Sequence, residues 1–270
     1  MNNSPKILVA CPTYEGMAYC LDKFIERINS LTYPDYDILI VDNSKTNDYY
    51  NLLSLINGIK VIKDNFTDKN AKSIIVHSRN LIIDYALENN YDFILMMDQD
   101  VIPPNDIIEL LLSCDKDIVS GLYLNYFTSS GKIKLLPVAW MPIAQEEYNK
   151  MISSGTRFPP SVKSCKDLRR HLTAEEADSN ELIKVLHPSA GCMLISKKVF
   201  EKVRYSMIDM KSLGFNEATT TDDIGFRVDA EKAGFDSYVY TKVKCDHLIG
   251  KKYIPDSKGN LVHKGLAKKE

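Results

Sequence analysis

The stretch Tyr91-Asp-Phe-Ile-Leu-Met-Met-Asp-Gln-Asp-Val-Ile-Pro-Pro104 constrains this chain more than any other. Phe93 to Met97 are consecutive apolar residues with the length and character of a strand covered on both faces, as in a parallel sheet flanked by helices. Asp98 and Asp100 fall where that strand must end, and Pro103 and Pro104 stop it. Residues two apart on an extended chain point the same way, so both carboxylates can converge at the carboxyl edge of the sheet, where open α/β folds bind ligands. Unaided they repel a phosphate. With a divalent ion such as Mg²⁺ between carboxylate and phosphate oxygens, the pairing becomes a binding site. A polar turn after a strand is the competing reading of so short a motif.

The same β-α form recurs before this strand. Lys6 to Cys11 is strand-like and is cut by Pro12, and Tyr19 to Leu31 carries apolar residues at helical spacing. Asp37 to Ser44 is a second buried strand with a polar tip, Tyr49 to Ile56 a short helix, and Ile59 to Ile62 a third strand. Ser78 to Leu87 is a helix that feeds the Asp98-Gln-Asp100 strand. Such alternation argues for a mainly parallel sheet. After the prolines, Asp106 to Ser113 reads as a helix and Ile118 to Leu124 as a strand. Regularity then lapses from Ser129 to His187, which reads as an insertion of loops and short elements. It returns with a strand at Ala190 to Ile195, a helix from Ser196, a helix from Asp222 to Ala233 stopped by Gly234, and a final strand at Tyr238 to Val243.

At 270 residues the chain has ample length for one α/β domain with a tail. Lys+Arg of 34 against Asp+Glu of 36 leaves a net charge of −2, so no global basic field marks a nucleic-acid binder. The six cysteines show neither Cys-x-x-Cys nor disulfide-framework spacing, and no secretory leader or membrane-length apolar run is present; a reducing, cytoplasmic setting is expected. Peripheral membrane contact stays open.

Two further places hold chemistry. Thr221-Asp-Asp-Ile224 puts a doubled acid at a helix start, where acids cap free N–H groups. The second acid adds another possibility, because one ionised carboxylate raises its neighbour's pKa, as a general base requires. Cys245-Asp-His247 ends the last strand with an imidazole, which beside two aspartates completes an O,O,N set and tilts metal choice toward Mn²⁺.

Taken in order, these pieces resemble a GT-A-fold glycosyltransferase of the family-2 type, which transfers a sugar from a nucleotide donor with a divalent metal. The resemblance is carried by Cys11-Pro-Thr-Tyr-Glu15, Val41-Asp-Asn-Ser44, Ser78-Arg-Asn80, Asp98-Gln-Asp100, Gly191-Cys-Met-Leu-Ile195, Thr221-Asp-Asp-Ile224 and His247. It spans about Lys6 to Gly250, interrupted by the 129–187 insertion. It implies a single catalytic domain over 1–255, a Lys-rich tail over 256–270, and an acceptor-side role for the insertion.

The resemblance also implies residue roles. Thr13 and Glu15 lie against the nucleoside, Asp42 binds base or ribose, and Arg79 approaches the donor's base or phosphates. Asp98 faces ribose and metal, Asp100 holds the metal and His247 adds a ligand, with Mn²⁺ or Mg²⁺ as the ion and a UDP- or GDP-linked sugar as donor. The acidic pair in the family usually reads Glu-Asp; here it is Asp222-Asp223, so Asp223 inherits the role of base and Asp222 stands as its possible substitute. Lys251, Lys252 and Tyr253 are either a mobile lid on the donor phosphates or part of a solvated tail. The acceptor, whether carbohydrate, lipid-linked or protein, is open. Trp140 is either a sugar-stacking platform or a core residue. Two rivals remain: a haloacid-dehalogenase-like phosphohydrolase, whose Asp-x-Asp normally follows the first core strand, and a non-catalytic sugar-nucleotide-binding protein.

Overall fold

Short apolar strands alternate with helices through the first half of the chain. In the computed structural model, which describes residues 4–129, 132–158, 160, 162–208, 221–249, 253–255 and 261–263, they form parallel neighbours. These strands are β1 (Ile7–Thr13), β2 (Tyr36–Asp42), β3 (Ile59–Lys63) and β4 (Phe93–Met97), connected through α1 (Leu21–Ile28), α2 (Asp48–Ser54) and α3 (Ala71–Glu88). A short β5 (Val101–Ile102), α4 (Ile107–Leu112) and β6 (Ile118–Leu122) follow.

The irregular middle is more ordered than its sequence suggests. It contains a hairpin of β7 (Leu124–Ser129) and β8 (Lys132–Pro137), a second pair of β9 (Trp140–Pro142) and β10 (Arg169–His171), helices α5 (Gln145–Ser153) and α6 (Ala174–Asp178), and β11 (Leu182–Val185). The chain then runs through β12 (Cys192–Ser196), α7 (Lys197–Phe200), α8 (Asp222–Lys232), β13 (Ser237–Lys244) and β14 (Asp246–His247). Among the described residues the central sheet has eight strands in the order β11-β13-β6-β12-β4-β1-β2-β3. It is mainly parallel, with β12 antiparallel to β4 and β6, and β11 antiparallel to β13.

Period-two alternation sorts the strand residues onto two cores. Ile7, Val9, Ile38, Ile40, Leu95 and Met97 face α1, α2 and α4 through Phe24, Leu53 and Leu111. Leu8, Ala10, Leu39, Val41, Ile94 and Met96 face α3, α7 and α8 through Ile82, Phe200 and Phe226. The inserted segment joins the same body rather than standing apart. Leu172, Ala177 and Val185 pack on Leu122 and Val239 in a small third core.

Several boundaries differ from expectation. The helix expected over Tyr19 to Leu31 is a 3₁₀ turn (Glu15–Cys20) followed by α1. Helix α3 begins at Ala71, well before Ser78, because Asn70 caps it by accepting from the Lys72 N–H at 3.1 Å. Ser196 precedes α7 but does not cap it; its hydroxyl donates instead to Asp117 Oδ1 at 2.7 Å. In the tail, Tyr253–Pro255 pairs antiparallel with Leu261–His263, so ladder hydrogen bonds extend past residue 255. No described helix is long and apolar enough to cross a membrane.

Because Leu95 sits on a central strand with no exposed surface, Leu95→Ala is expected to destabilise the protein by about 2–5 kcal/mol. A denaturant unfolding midpoint measures this.

Candidate functional site

The carboxyl ends of β1, β2 and β4 meet at one edge, and buried polar side chains knit them together. Gln99 is the middle residue of Asp98-Gln-Asp100 and is only 2% exposed. It hydrogen-bonds the Thr13 hydroxyl at the end of β1, contacts the Tyr49 hydroxyl at 3.0–3.1 Å, and donates to the Met17 carbonyl at 2.9 Å. Glu15 is exposed beside it, its backbone N–H donating to Ser44 Oγ at 2.8 Å, and the Ser44 hydroxyl holds the Glu15 carboxyl below its usual range.

Asp42 has no exposed surface. Its Oδ2 lies 2.7 Å from Lys63 Nζ, and its Oδ1 accepts from the Ser44 N–H at 3.0 Å and from the Ser44 hydroxyl. In this conformation Asp42 shapes the lip that carries Ser44 and Glu15, and a nucleoside reaches its carboxylate only by displacing one of these groups.

Each residue of Ser78-Arg-Asn80 on α3 fixes a different segment. The Ser78 hydroxyl donates to buried Asp64 at 2.7 Å and accepts from Asn43 Nδ2 at 3.1 Å. Asn80 clamps the Tyr205 backbone with bonds of 2.9 and 3.0 Å. Arg79, 4% exposed, reaches Asp98 Oδ1 through Nη2 and Asp222 Oδ2 through Nε, both at 2.7 Å, with its guanidinium 5.1 Å above the Tyr205 ring. Burial disfavours its charge, but the carboxylates of Asp222 and Asp98 outweigh that and raise its pKa well above the ordinary value. Its role is not that of a surface ion pair. It is instead a buried cation joining the two acidic motifs.

Asp98 and Asp100 do not lie on an extended chain. The Val101 N–H bonds back to the Asp98 carbonyl at 3.0 Å, closing a turn, so the expectation of two parallel carboxylates fails here. Asp98 turns to Arg79, while burial and the Asp100 and Asp222 charges push its carboxyl up against the pull of Arg79. Asp100 accepts from the Tyr19 hydroxyl at 3.2 Å and faces His247 Nε2 at 3.5 Å.

His247 is not carried by the central sheet. It arrives on β14, which pairs antiparallel with β5, placing His247 opposite Val101. Its Nδ1 lies 2.9 Å from the Leu124 carbonyl, which only accepts, so Nδ1 carries the hydrogen and Nε2 is turned toward Asp100. Among the described residues no three ligating side chains converge on one point. Asp100 and His247 bring one carboxylate and one imidazole nitrogen together, an O,N pair.

The acidic pair divides. Asp222 contacts Arg79, whereas Asp223 Oδ1 is buried without a hydrogen-bond partner among the described residues. Burial raises the Asp223 pKa, and the Asp222 charge raises it further. Asp223 lines a cavity of about 300 Å³ together with Trp140, Phe127, His187, Arg169 and Asn125. Trp140 is half-buried, with ring contacts to Phe127 (5.8 Å) and His171 (5.1 Å), so it both packs on the core and walls the cavity. A cavity of about 280 Å³ between Met141, Arg227 and Phe235 lacks the acidic pair, and its Lys184 and Asp236 pair with each other at 2.8 Å.

Sequence reasoning missed Gln99, Asp64, Tyr205, Arg169 and His187. Only Gln99 carried a local signal, a polar residue between the two aspartates. Lys251 and Lys252 lie outside the described residues.

Gly191 shows how tightly the site is closed. A Cβ there would lie 2.8 Å from Asp98 Oδ2 and from the Tyr123 hydroxyl, which accepts the Gly191 N–H at 3.1 Å.

Residues 8–204 match the family model described as glycosyl transferase family 2. Among solved structures, the chain resembles GalNAc-T7 in complex with UDP, GalNAc and Mn²⁺ (TM-score 0.58, 14% identity, covering 92% of this chain and 44% of that one). It also resembles the mannosyltransferase PcManGT of Pyrobaculum calidifontis in complex with GDP-Man and Mn²⁺ (TM-score 0.51, 12% identity, covering 92% and 58%). The chain therefore spans about half the length of those two proteins, and their likeness establishes the GT-A fold. No curated protein matches the sequence.

Arg79→Met leaves Asp98 and Asp222 facing each other without their cation. It is expected to cost about 3–5 kcal/mol, read as a fall in the denaturant midpoint, with Arg79→Lys recovering only part because one ammonium cannot span both carboxylates.

Proposed function

The chain belongs to glycosyl transferase family 2, and from that premise we propose that it moves a hexose from a UDP- or GDP-linked donor to an acceptor hydroxyl, with inversion and with Asp223 as the base. The observation that carries this reading is the half-buried Asp223 carboxylate, whose Oδ1 has no hydrogen-bond partner among the described residues, in the wall of an aromatic cavity beside the donor-side motifs. An acceptor hydroxyl is a poor nucleophile at neutral pH, and a carboxylate with a raised pKa is the better proton acceptor.

Asp222 supports that role from behind. Its charge is taken up by Arg79, which leaves Asp223 as the acid free to meet the acceptor. Trp140 offers a flat apolar face for the acceptor ring in the same cavity.

On the donor side, Thr13 and Glu15 line the nucleoside, with Asp42 holding their lip in shape. Asp98 faces the ribose while Arg79 fixes its orientation, and Asp100 and His247 hold a divalent ion. Those two residues would hold Mn²⁺ or Mg²⁺, which would supply positive charge to stabilise a leaving diphosphate. Mn²⁺ and a nucleoside diphosphate or its sugar are present in the complexes of both similar proteins, which supports this assignment. Lys251 is proposed to reach the donor phosphates. The setting proposed is cytoplasmic and reducing, from the cysteine spacing in the sequence.

A thermal-shift screen of nucleotide sugars with and without Mn²⁺ identifies the donor, since a ligand that binds only the folded state raises the melting point. Asp100→Ala is expected to abolish the Mn²⁺-dependent part of that shift; an unchanged shift removes Asp100 from the metal site. Hydrolysis or transfer of the donor separates an enzyme from a sugar-nucleotide-binding protein.

Asp223→Asn keeps the shape but cannot take a proton, so transfer is expected to fall by about 10²- to 10⁴-fold with donor binding retained. The pH profile supplies a second check. The base works only when ionised, so kcat/KM falls as pH drops through the Asp223 pKa, and burial sets that acid limb above the ordinary carboxylate range. Asp222→Asn removes a neighbouring negative charge and should move the limb to lower pH. A dead Asp222→Asn beside an active Asp223→Asn reverses the assignment.

A further inference from the structure

The acceptor cavity has two unlike electrostatic neighbourhoods. The charged groups that act on Asp223 are Asp222 and Arg79. Those that act on His187, in the same wall, are the guanidinium groups of Arg227 and Arg169. His187 is 5% exposed and its ring Nδ1 has no partner among the described residues, while its backbone is fixed by paired bonds to Trp140 at 3.0 and 3.2 Å.

Burial and the two guanidinium groups lower the His187 pKa to about 3, so the imidazole is neutral at physiological pH and leaves the positive charge here to the arginines. Arg227 is already engaged by Glu231. Arg169 is not: it is exposed on β10 and lines the cavity, and its guanidinium has no acidic or hydrogen-bonding partner among the described residues. One side of the cavity thus holds a carboxylate suited to an attacking hydroxyl, and another holds a guanidinium with no anion.

Resting on the transferase reading above, we propose that the acceptor unit seated here is an acidic sugar, its ring on Trp140, its carboxylate or phosphate paired with Arg169, and a hydroxyl bonded to the His187 imidazole. The volume of about 300 Å³ fits a single sugar residue, at the small end of ligand cavities. The aromatic walls Phe127 and Trp140 suit the apolar face of a pyranose. A guanidinium pairs with either kind of anion in a two-pronged geometry that a neutral sugar cannot use.

The test titrates the full chain, loaded with Mn²⁺ and the donor's nucleoside diphosphate, with the methyl glycosides of glucose, glucuronate and glucose 6-phosphate. The wild type is expected to bind at least one of the two acidic sugars about five-fold or more tighter than glucose, as a pair between exposed and buried in strength would give. Whichever acidic sugar is preferred identifies carboxylate or phosphate as the source of the anion. Arg169→Ala should erase the preference and Arg169→Lys restore part of it. His187→Phe, which keeps a ring of similar bulk, should weaken all three sugars together.

Equal binding of the three sugars by the wild type, no binding of any, or a preference that survives Arg169→Ala overturns the proposal. The Mn²⁺-dependent nucleotide shift is read on the same samples. If that shift is present while the acidic preference is missing, only the acidic-acceptor inference falls; if the shift itself is missing, the transferase reading and this inference fall together.

Discussion

The site depends on one buried cation. Arg79 enters from α3 and meets Asp98, at the tip of β4, and Asp222, at the start of α8, with both contacts at 2.7 Å. Without it, three carboxylates from two distant stretches of chain would crowd one edge of the sheet, and burial would drive them toward protonation. A buried guanidinium costs several kcal/mol to desolvate, and here the two carboxylates repay that cost. The ion set therefore acts as a strut between the donor-side turn and the acidic helix start. Tyr205 and Asn80 extend the strut. Asn80 clamps the Tyr205 backbone, and the Tyr205 ring lies under the guanidinium and stacks on Phe226 of α8 at 4.5 Å.

This strut explains why a doubled acid sits at the start of α8. A single aspartate cannot both satisfy Arg79 and remain free in the cavity. Asp222 takes the first task, contacting Nε, and Asp223 keeps an oxygen unpaired among the described residues. Close approach on the other side completes the enclosure. The antiparallel strand β12 brings Gly191 against Asp98, where the absence of a side chain lets the strand end and the turn touch. At α8 the same device recurs: a Cβ on Gly225 would fall 1.9 Å from the Ser206 carbonyl, so the helix lies directly on the segment that Asn80 clamps.

Much of this was legible in the sequence because it is local. Strand β4 has the bounds its apolar run gives, and the parallel pairing among β1 to β4 follows from the repeated strand and helix pattern. The motif positions at the ends of β1, β2 and β4 were legible for the same reason. What was not legible rests on contacts between residues far apart. The first turns of α3 mix Lys72, Ser73 and His77 with Ile74 to Val76, and this hid its true start, since its buried residues begin only at Ser78. The antiparallel sense of β12 has no signature in an all-apolar run. The order within the 129–187 insertion comes from pairings such as Trp140 with His171, separated by loops without a period. His247 was expected at the end of a strand of the parallel sheet, and only the β14–β5 pairing shows how it reaches Asp100.

The same distinction separates residues that touch a ligand from residues that shape its site. Motif reading treats Asp42 and Asp98 alike, as acids at strand tips, yet burial gives them different tasks. Asp42 is sealed, and its charge is spent on Lys63 and on ordering Ser44, which in turn fixes the backbone of Glu15. Asp98 is half-buried, with one oxygen on Arg79 and the other beside Gly191, so it remains at the edge of the site. An acid at a strand tip therefore acts on a ligand only so far as its neighbours leave its oxygens free. By that measure Asp223 keeps an oxygen available, its Oδ1 having no hydrogen-bond partner among the described residues.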